Sequence, residues 1–133
     1  NRFMAVVSNV GWEPNYFKNP SGKFDVLVRI NSVWYKIQVK KSCEPIHTFH
    51  NWCLEWDTDL KKRVGRFYKR NEIDFFAIDV NGDFYLLPYD AVYRKTGKNK
   101  ASINIVKDAK YKLSNILKSY KNGKYYVGDE IIF

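Results

Sequence analysis

Asp25, Gln38 and Lys40 are the residues whose types and spacing could do chemistry. Asp25 lies in Phe24-Asp25-Val26-Leu27-Val28, and the other two in Tyr35-Lys36-Ile37-Gln38-Val39-Lys40-Lys41-Ser42. Gln38 and Lys40 are two residues apart, so on a strand they leave the same face. A hairpin turning near residue 32 would bring Asp25 roughly across from Lys40. A carboxylate, an amide oxygen and an ammonium then converge at one end of a sheet. A hard divalent cation such as Mg²⁺ (or Mn²⁺) takes oxygen ligands, which Asp25, Gln38 and the carbonyl of Val39 could supply. Such a cation polarises a phosphodiester and lowers the pKa of a bound water. Lys40 could orient that water or stabilise charge on the phosphorane. Residue types alone leave plainer readings open. An Asp before a strand is often a hairpin-entry residue, and Gln-x-Lys on one face of a strand is commonly solvated.

The elements that must position these residues are legible as patterns. Residues 2–10 read as the end of a helix, with Phe3, Val6, Val7 and Val10 at helical spacing and Gly11 as its stop. Residues 12–18 read as a short strand, which Pro14 confines to an edge or an irregular position. Residues 23–30 and 33–39 alternate as two strands joined by a tight Asn31-Ser32 connection. Val33, Tyr35, Ile37 and Val39 share one face of the second strand; Trp34, Lys36, Gln38 and Lys40 share the other. Residues 41–59 read as irregular and aromatic-rich. Residues 73–80 and 83–87 form a hairpin about Asn81-Gly82, ended by Pro88. Residues 101–106 read as extended, 108–120 as a helix capped by Asp108, and 125–133 as a last short strand. Strands mainly in antiparallel pairs, flanked by helices, define a mixed α/β (α+β) class.

The chain has 133 residues, which suits a single domain over 1–133. Hydrophobic residues are 45% and aromatics 17%, which excludes whole-chain disorder. No apolar run is long enough to span a bilayer, so no membrane partner is expected. The start, Asn1-Arg2-Phe3-Met4, has no signal-peptide pattern and no initiator Met. The formal net charge is +9, which favours a polyanionic partner such as nucleic acid. Residues 94–124 hold ten basic side chains against one acid, Asp108, and so carry that entire charge. Arg94, Lys95, Lys98 and Lys100 open this region. Lys61, Lys62, Arg63, Arg66, Lys69 and Arg70 form a second basic run. Both could meet phosphates, with strongly salt-dependent binding; both could equally be solvated faces. Cys43, His47, His50 and Cys53 make a conceivable zinc set, but their spacing matches no common finger. Free thiols in a reduced cytoplasmic, nucleoid-associated protein are the simpler reading. Trp52, Trp56, Phe67 and Tyr68 could stack on bases, although core or interface is the commoner fate of such residues.

At Asp25 and Gln38-Val39-Lys40 the sequence resembles the PD-(D/E)xK nuclease superfamily. Within it the chain is most similar to the homing endonucleases of group I introns, in the form where Gln replaces the second acid. Four features run in order: a helix leading into Gly11-Trp12-Glu13, the Asp25 strand, Gln38-Val39-Lys40 followed by Lys41-Ser42, and the later hairpin Ile73–Ile78 with Phe84–Pro88. The likeness covers residues 1–92 well and 93–133 poorly. It implies a central mixed sheet flanked by helices, and Mg²⁺-dependent hydrolysis of double-stranded DNA by a dimer or tetramer. Asp25 would be a metal ligand, Gln38 the second motif residue and Lys40 the catalytic lysine. Lys41, Ser42 and the two basic runs would contact DNA. The superfamily often carries a Glu in its first helix; residues 1–10 hold no acid, and Glu13 falls after the helix. Restriction-like or junction-resolving cleavage are variants of this reading. Its competitors are a non-catalytic nucleic-acid-binding module on a nuclease-like scaffold and a protein-interaction domain.

Overall fold

The computed structural model describes residues 2–15, 24–42, 48–50, 52–92, 102–104 and 108–133. In chain order its elements are α1 (Arg2–Asn9), β1 (Glu13–Asn15), β2 (Val26–Ile30), β3 (Val33–Lys41), β4 (Thr48–His50), β5 (Trp52–Asp57), β6 (Lys62–Phe67), β7 (Phe75–Val80), β8 (Asp83–Pro88), β9 (Ser102–Asn104), α2 (Leu113–Lys118), β10 (Tyr126–Val127) and β11 (Glu130–Ile131). Five strands make the central sheet in the order β1-β2-β3-β7-β8. It is mixed: β3 and β7 run parallel, and the other neighbours antiparallel. The class expected from the sequence is the class observed.

Local chemistry explains the stops and turns. Gly11, at φ +86°, lets the chain reverse after α1; its N–H donates to Ser8 O and that of Trp12 to Val7 O, which satisfies the last carbonyls of the helix. Asn31 and Ser32 both take positive φ, as do Asn81 and Gly82, giving the left-handed two-residue turns that match strand twist. Pro14 sits on the edge strand β1, opposite Val28, where its missing N–H costs the sheet least.

Alternation then sorts the side chains into two cores. On one face Val26, Val28, Ile37, Phe75, Ala77, Phe84 and Leu86 pack with α1 and α2. On the other, Phe76, Ile78, Val80, Tyr85 and Leu87 pack with Tyr68, Ile73 and Tyr89. Asp74 ties the two halves of the sheet together: its N–H donates to Lys36 O and its carboxylate accepts from Lys36 N–H, each at 2.8 Å.

Three expectations need correction. Residues 41–59 are not irregular throughout: among the described residues they contain β4 and β5. β5 pairs with β6 as an antiparallel ribbon, so the basic run from 61 lies largely on a strand. Residues 108–120 do not form one helix. A 3-10 turn (Ala109–Tyr111) stops at Lys112, whose extended backbone bridges to Tyr85 before α2 begins, and Asp108 makes no side-chain cap bond. Residues 125–133 form a hairpin of β10 and β11 rather than one strand, turning at Gly128, φ +61°.

Candidate active site

β2 and β3 bring Asp25, Gln38 and Lys40 to one face of the sheet, on the side of Tyr68 and Phe76. The register pairs Val26 with Ile37, which sets Asp25 level with Gln38 and not with Lys40. The turn is centred between Asn31 and Ser32, and a centre one residue later would have been needed for the expected pairing. Lys40 is instead the diagonal neighbour on the same face, still within reach of a long side chain.

The carboxylate of Asp25 is held by two donors through Oδ2. The Val39 N–H lies 2.9 Å away and Gln38 Nε2 also 2.9 Å. Gln38 Nε2 is also 3.5 Å from the Val39 carbonyl. The amide nitrogen therefore sits between two oxygens, one of them anionic. Gln38 Oε1 is buried and has no hydrogen-bond partner. An orphaned buried carbonyl costs about 1–3 kcal/mol, so its retention is informative. Asp25 is exposed as a residue, but partial burial of its carboxylate is the largest influence on its pKa and raises it; the Val39 N–H and the Lys40 charge pull the other way.

Lys40 is steered from above and below. Its Nζ donates to the Trp52 carbonyl at 3.3 Å and stands 5.1 Å from the centre of the Tyr68 ring. Tyr68 is buried, and the Tyr89 hydroxyl donates to its backbone carbonyl at 2.6 Å. Its own phenol is pushed up to about 12, first by burial and then by nearby Cys53 and Asp25, so it stays protonated at neutral pH. Sequence reasoning did not assign Trp52 or Tyr68 to Lys40. A backbone carbonyl leaves no signature in residue types, and the contact joins segments that no local pattern links.

Three hard oxygen donors, Asp25, the Gln38 amide and the Val39 carbonyl, suit Mg²⁺ or Mn²⁺ in type. A half-turn of the Gln38 amide exchanges Oε1 with Nε2 and would present all three oxygens together. Asp25 is the one carboxylate among them. Among the described residues no cluster of three His, Cys, Asp or Glu side chains could hold a metal. Cys53 is a free thiol; Cys43 and His47 lie outside the described residues, as does the side chain of His50. Glu13 pairs with Arg29 at the sheet edge, 3.5 Å apart, away from the site.

The basic residues divide. Lys41 is exposed at the end of β3, and the Ser42 N–H donates to Asp79 O. Lys61, Lys62, Arg63 and Lys69 are exposed. Arg66 is turned inward onto Glu55 and Glu72, and Arg70 pairs with Asp90. Lys118, Lys121 and Lys124 are exposed, beyond the sheet face that α2 covers and opposite the Asp25 face. Arg94, Lys95, Lys98 and Lys100 lie outside the described residues. Among the described residues no helix is long and apolar enough to cross a membrane.

This mixed sheet, with its flanking helices and its parallel β3–β7 junction, is a homing-endonuclease-like fold. It resembles a solved structure of the bacterial homing endonuclease I-Ssp6803I, with a TM-score of 0.62 over 77% of this chain and 70% of that one, at 19% sequence identity. No family profile matches the sequence. No curated protein matches it by sequence either.

Proposed function

We propose that the protein is a metal-dependent endonuclease that hydrolyses phosphodiester bonds in double-stranded DNA, site-specifically in the manner of a homing endonuclease and as a homo-oligomer. The observation that carries this reading is the gathering of Asp25, Gln38 and the Val39 carbonyl around one point, with a buried, unpartnered Gln38 Oε1. The fold shared with a bacterial homing endonuclease supports it.

Asp25, Gln38 Oε1 and the Val39 carbonyl would hold Mg²⁺ or Mn²⁺, which supplies Lewis acidity and a more acidic water. Lys40 works as a positioned ammonium. The Trp52 carbonyl accepts from it and the Tyr68 ring faces it, and held there it would stabilise negative charge on the phosphate. Desolvation on the Tyr68 side strengthens that interaction. Lys41, Ser42, Lys62 and Lys69 would contact phosphates, as would Arg94, Lys95, Lys98 and Lys100, which lie outside the described residues. About six such contacts would give a salt slope near −5 in the logarithm of affinity.

The test is incubation of the full chain with supercoiled plasmid carrying random inserts, with Mg²⁺ or Mn²⁺. Nicking or linearisation that Asp25→Asn and Lys40→Ala abolish, while duplex binding persists, supports the reading. Cleavage by either variant at the wild-type rate refutes it. One observation favours a second reading, a non-catalytic DNA-binding module: Asp25 is the one carboxylate in the proposed ligand set. Tight, salt-dependent duplex binding with no nicking under either metal would select it.

A further inference from the structure

The β5–β6 ribbon is built inside out. Alternation puts Trp52, Leu54 and Trp56 on one side and Cys53, Glu55 and Asp57 on the other. The register sets Phe67, Gly65 and Arg63 across from the first three, and Arg66, Val64 and Lys62 across from the second. A ribbon over a core ordinarily turns its apolar side inward. Here the inward side carries the charges: Arg66 bonds Glu55 and Glu72 there, and Cys53 packs on the second core. The apolar side faces out, with Trp52 36%, Leu54 57%, Trp56 59% and Phe67 41% exposed. Gly65, across from Leu54, has no side chain on this face, and the Trp52 ring lies 3.6 Å from where a Cβ would stand.

A strip like this implies a partner, and its size and rim say which. Side chains of the 150–250 Å² class at these exposures leave on the order of 400 Å² of contiguous surface open. A stable protein–protein interface needs about 800 Å² per partner, with an apolar centre and a polar rim. The strip supplies that centre. The adjoining turn supplies the rim, with exposed Leu60 between Asp59 on one side and Lys61 and Arg63 on the other. Both signs of charge within one turn are self-complementary across a two-fold axis. A DNA duplex would bring negative charge against Asp59 and, with its bases paired and stacked, little apolar surface to cover Leu54 and both tryptophans.

We propose that the outer face of the β5–β6 ribbon is an isologous interface, packing against the same face of a second copy of this chain. This names the surface for the self-association included in the proposed function, and it is independent of the chemistry at Asp25. Sedimentation velocity of the full chain without DNA or metal, from about 1 to 100 µM, reads it directly. Wild type should self-associate over this range. Leu54→Glu and Trp56→Ser, both on the exposed side, should each weaken association by about 100-fold or more, the scale of a lost hot spot. A wild type that is monomeric at the top concentration overturns the proposal. So do variants that associate like wild type, or that keep its association and lose duplex affinity, which would assign the face to DNA. Should either variant fail to fold by circular dichroism, tryptophan emission of wild type on dilution decides. A red shift supports the interface, and concentration-independent emission overturns it. Cleavage assays are not involved, so a failure here leaves the nuclease reading standing.

Discussion

Arg66→Ala removes the guanidinium that ties the ribbon to the core. In the folded protein Nη1 and Nη2 grip both oxygens of Glu72, at 3.0 and 2.6 Å, while Nε bonds Glu55 and Nη1 also donates to Phe67 O at 2.9 Å. The side chain of Arg66 is 23% exposed and that of Glu72 14%. The Glu72 bond is the main reason the guanidinium is held even more firmly protonated than usual. Charge-assisted hydrogen bonds contribute about 1.5–3 kcal/mol each, and breaking a fully buried pair costs about 3–5 kcal/mol. Partial exposure moves this pair below that range, and Glu72 keeps the Lys69 N–H at 2.7 Å as a donor. The expected loss is about 2–3 kcal/mol, or about 6–10 °C in Tm for a chain of this size. Urea unfolding followed by circular dichroism measures it. A cycle with Glu72→Gln should return a coupling of about 1–2 kcal/mol. A stability loss under about 0.5 kcal/mol, together with a duplex affinity whose salt slope drops by about one, would refute the reasoning. Arg66 would then be a phosphate contact.

Asp25→Asn should raise Tm at pH 7. Burial holds the folded-state pKa of Asp25 above its unfolded value, so the folded form binds the proton more tightly. The cost of the ionised carboxylate is absent below the unfolded pKa, develops as pH rises through the folded one, and is complete at neutrality. An amide can still accept from Val39 N–H, so the gain should shrink toward acid pH; a lower Tm at pH 7 would contradict this. Tyr68→Phe keeps the ring face toward Lys40 and should cleave within about twofold of wild type, whereas Tyr68→Leu forfeits a contribution of about 0.5–2 kcal/mol and should lower kcat more than it raises KM. Gly82→Ala meets only ordinary contacts, the nearest being Arg2 Nη1 at 3.7 Å, but must hold φ near +97°, and should cost about 1 kcal/mol in urea unfolding.

The two hairpins of the sheet were legible because their turns are chemically explicit. Asn31-Ser32 and Asn81-Gly82 tolerate the left-handed backbone, and the flanking residues alternate cleanly. Sharing of one face by Gln38 and Lys40 followed from period two, and the hairpin turn brought Asp25 to it. Their register did not, since moving the turn centre by one residue slides the pairing by two. The β5–β6 ribbon escaped notice because its pattern is inverted: Trp-Cys-Leu-Glu-Trp-Asp alternates, but a reading that expects apolar residues inside finds no core for them. The break at Lys112 is a tertiary effect. Its backbone bridges Tyr85, some thirty residues earlier, and a partner that distant overrides a helical local pattern.

The parallel union of β3 with β7 obliges the chain to travel back along the sheet between Lys41 and Phe75. In most proteins a helix makes that return journey. Here the return carries the ribbon, which adds no strand to the main sheet. Doubling such an excursion costs only about 0.6 kcal/mol in closure entropy. The segment is thus a place where descendants of this sequence can lengthen, shorten or exchange material without disturbing the sheet. The Trp52 carbonyl, on Lys40, is the point at which any such remodelling reaches the chemistry.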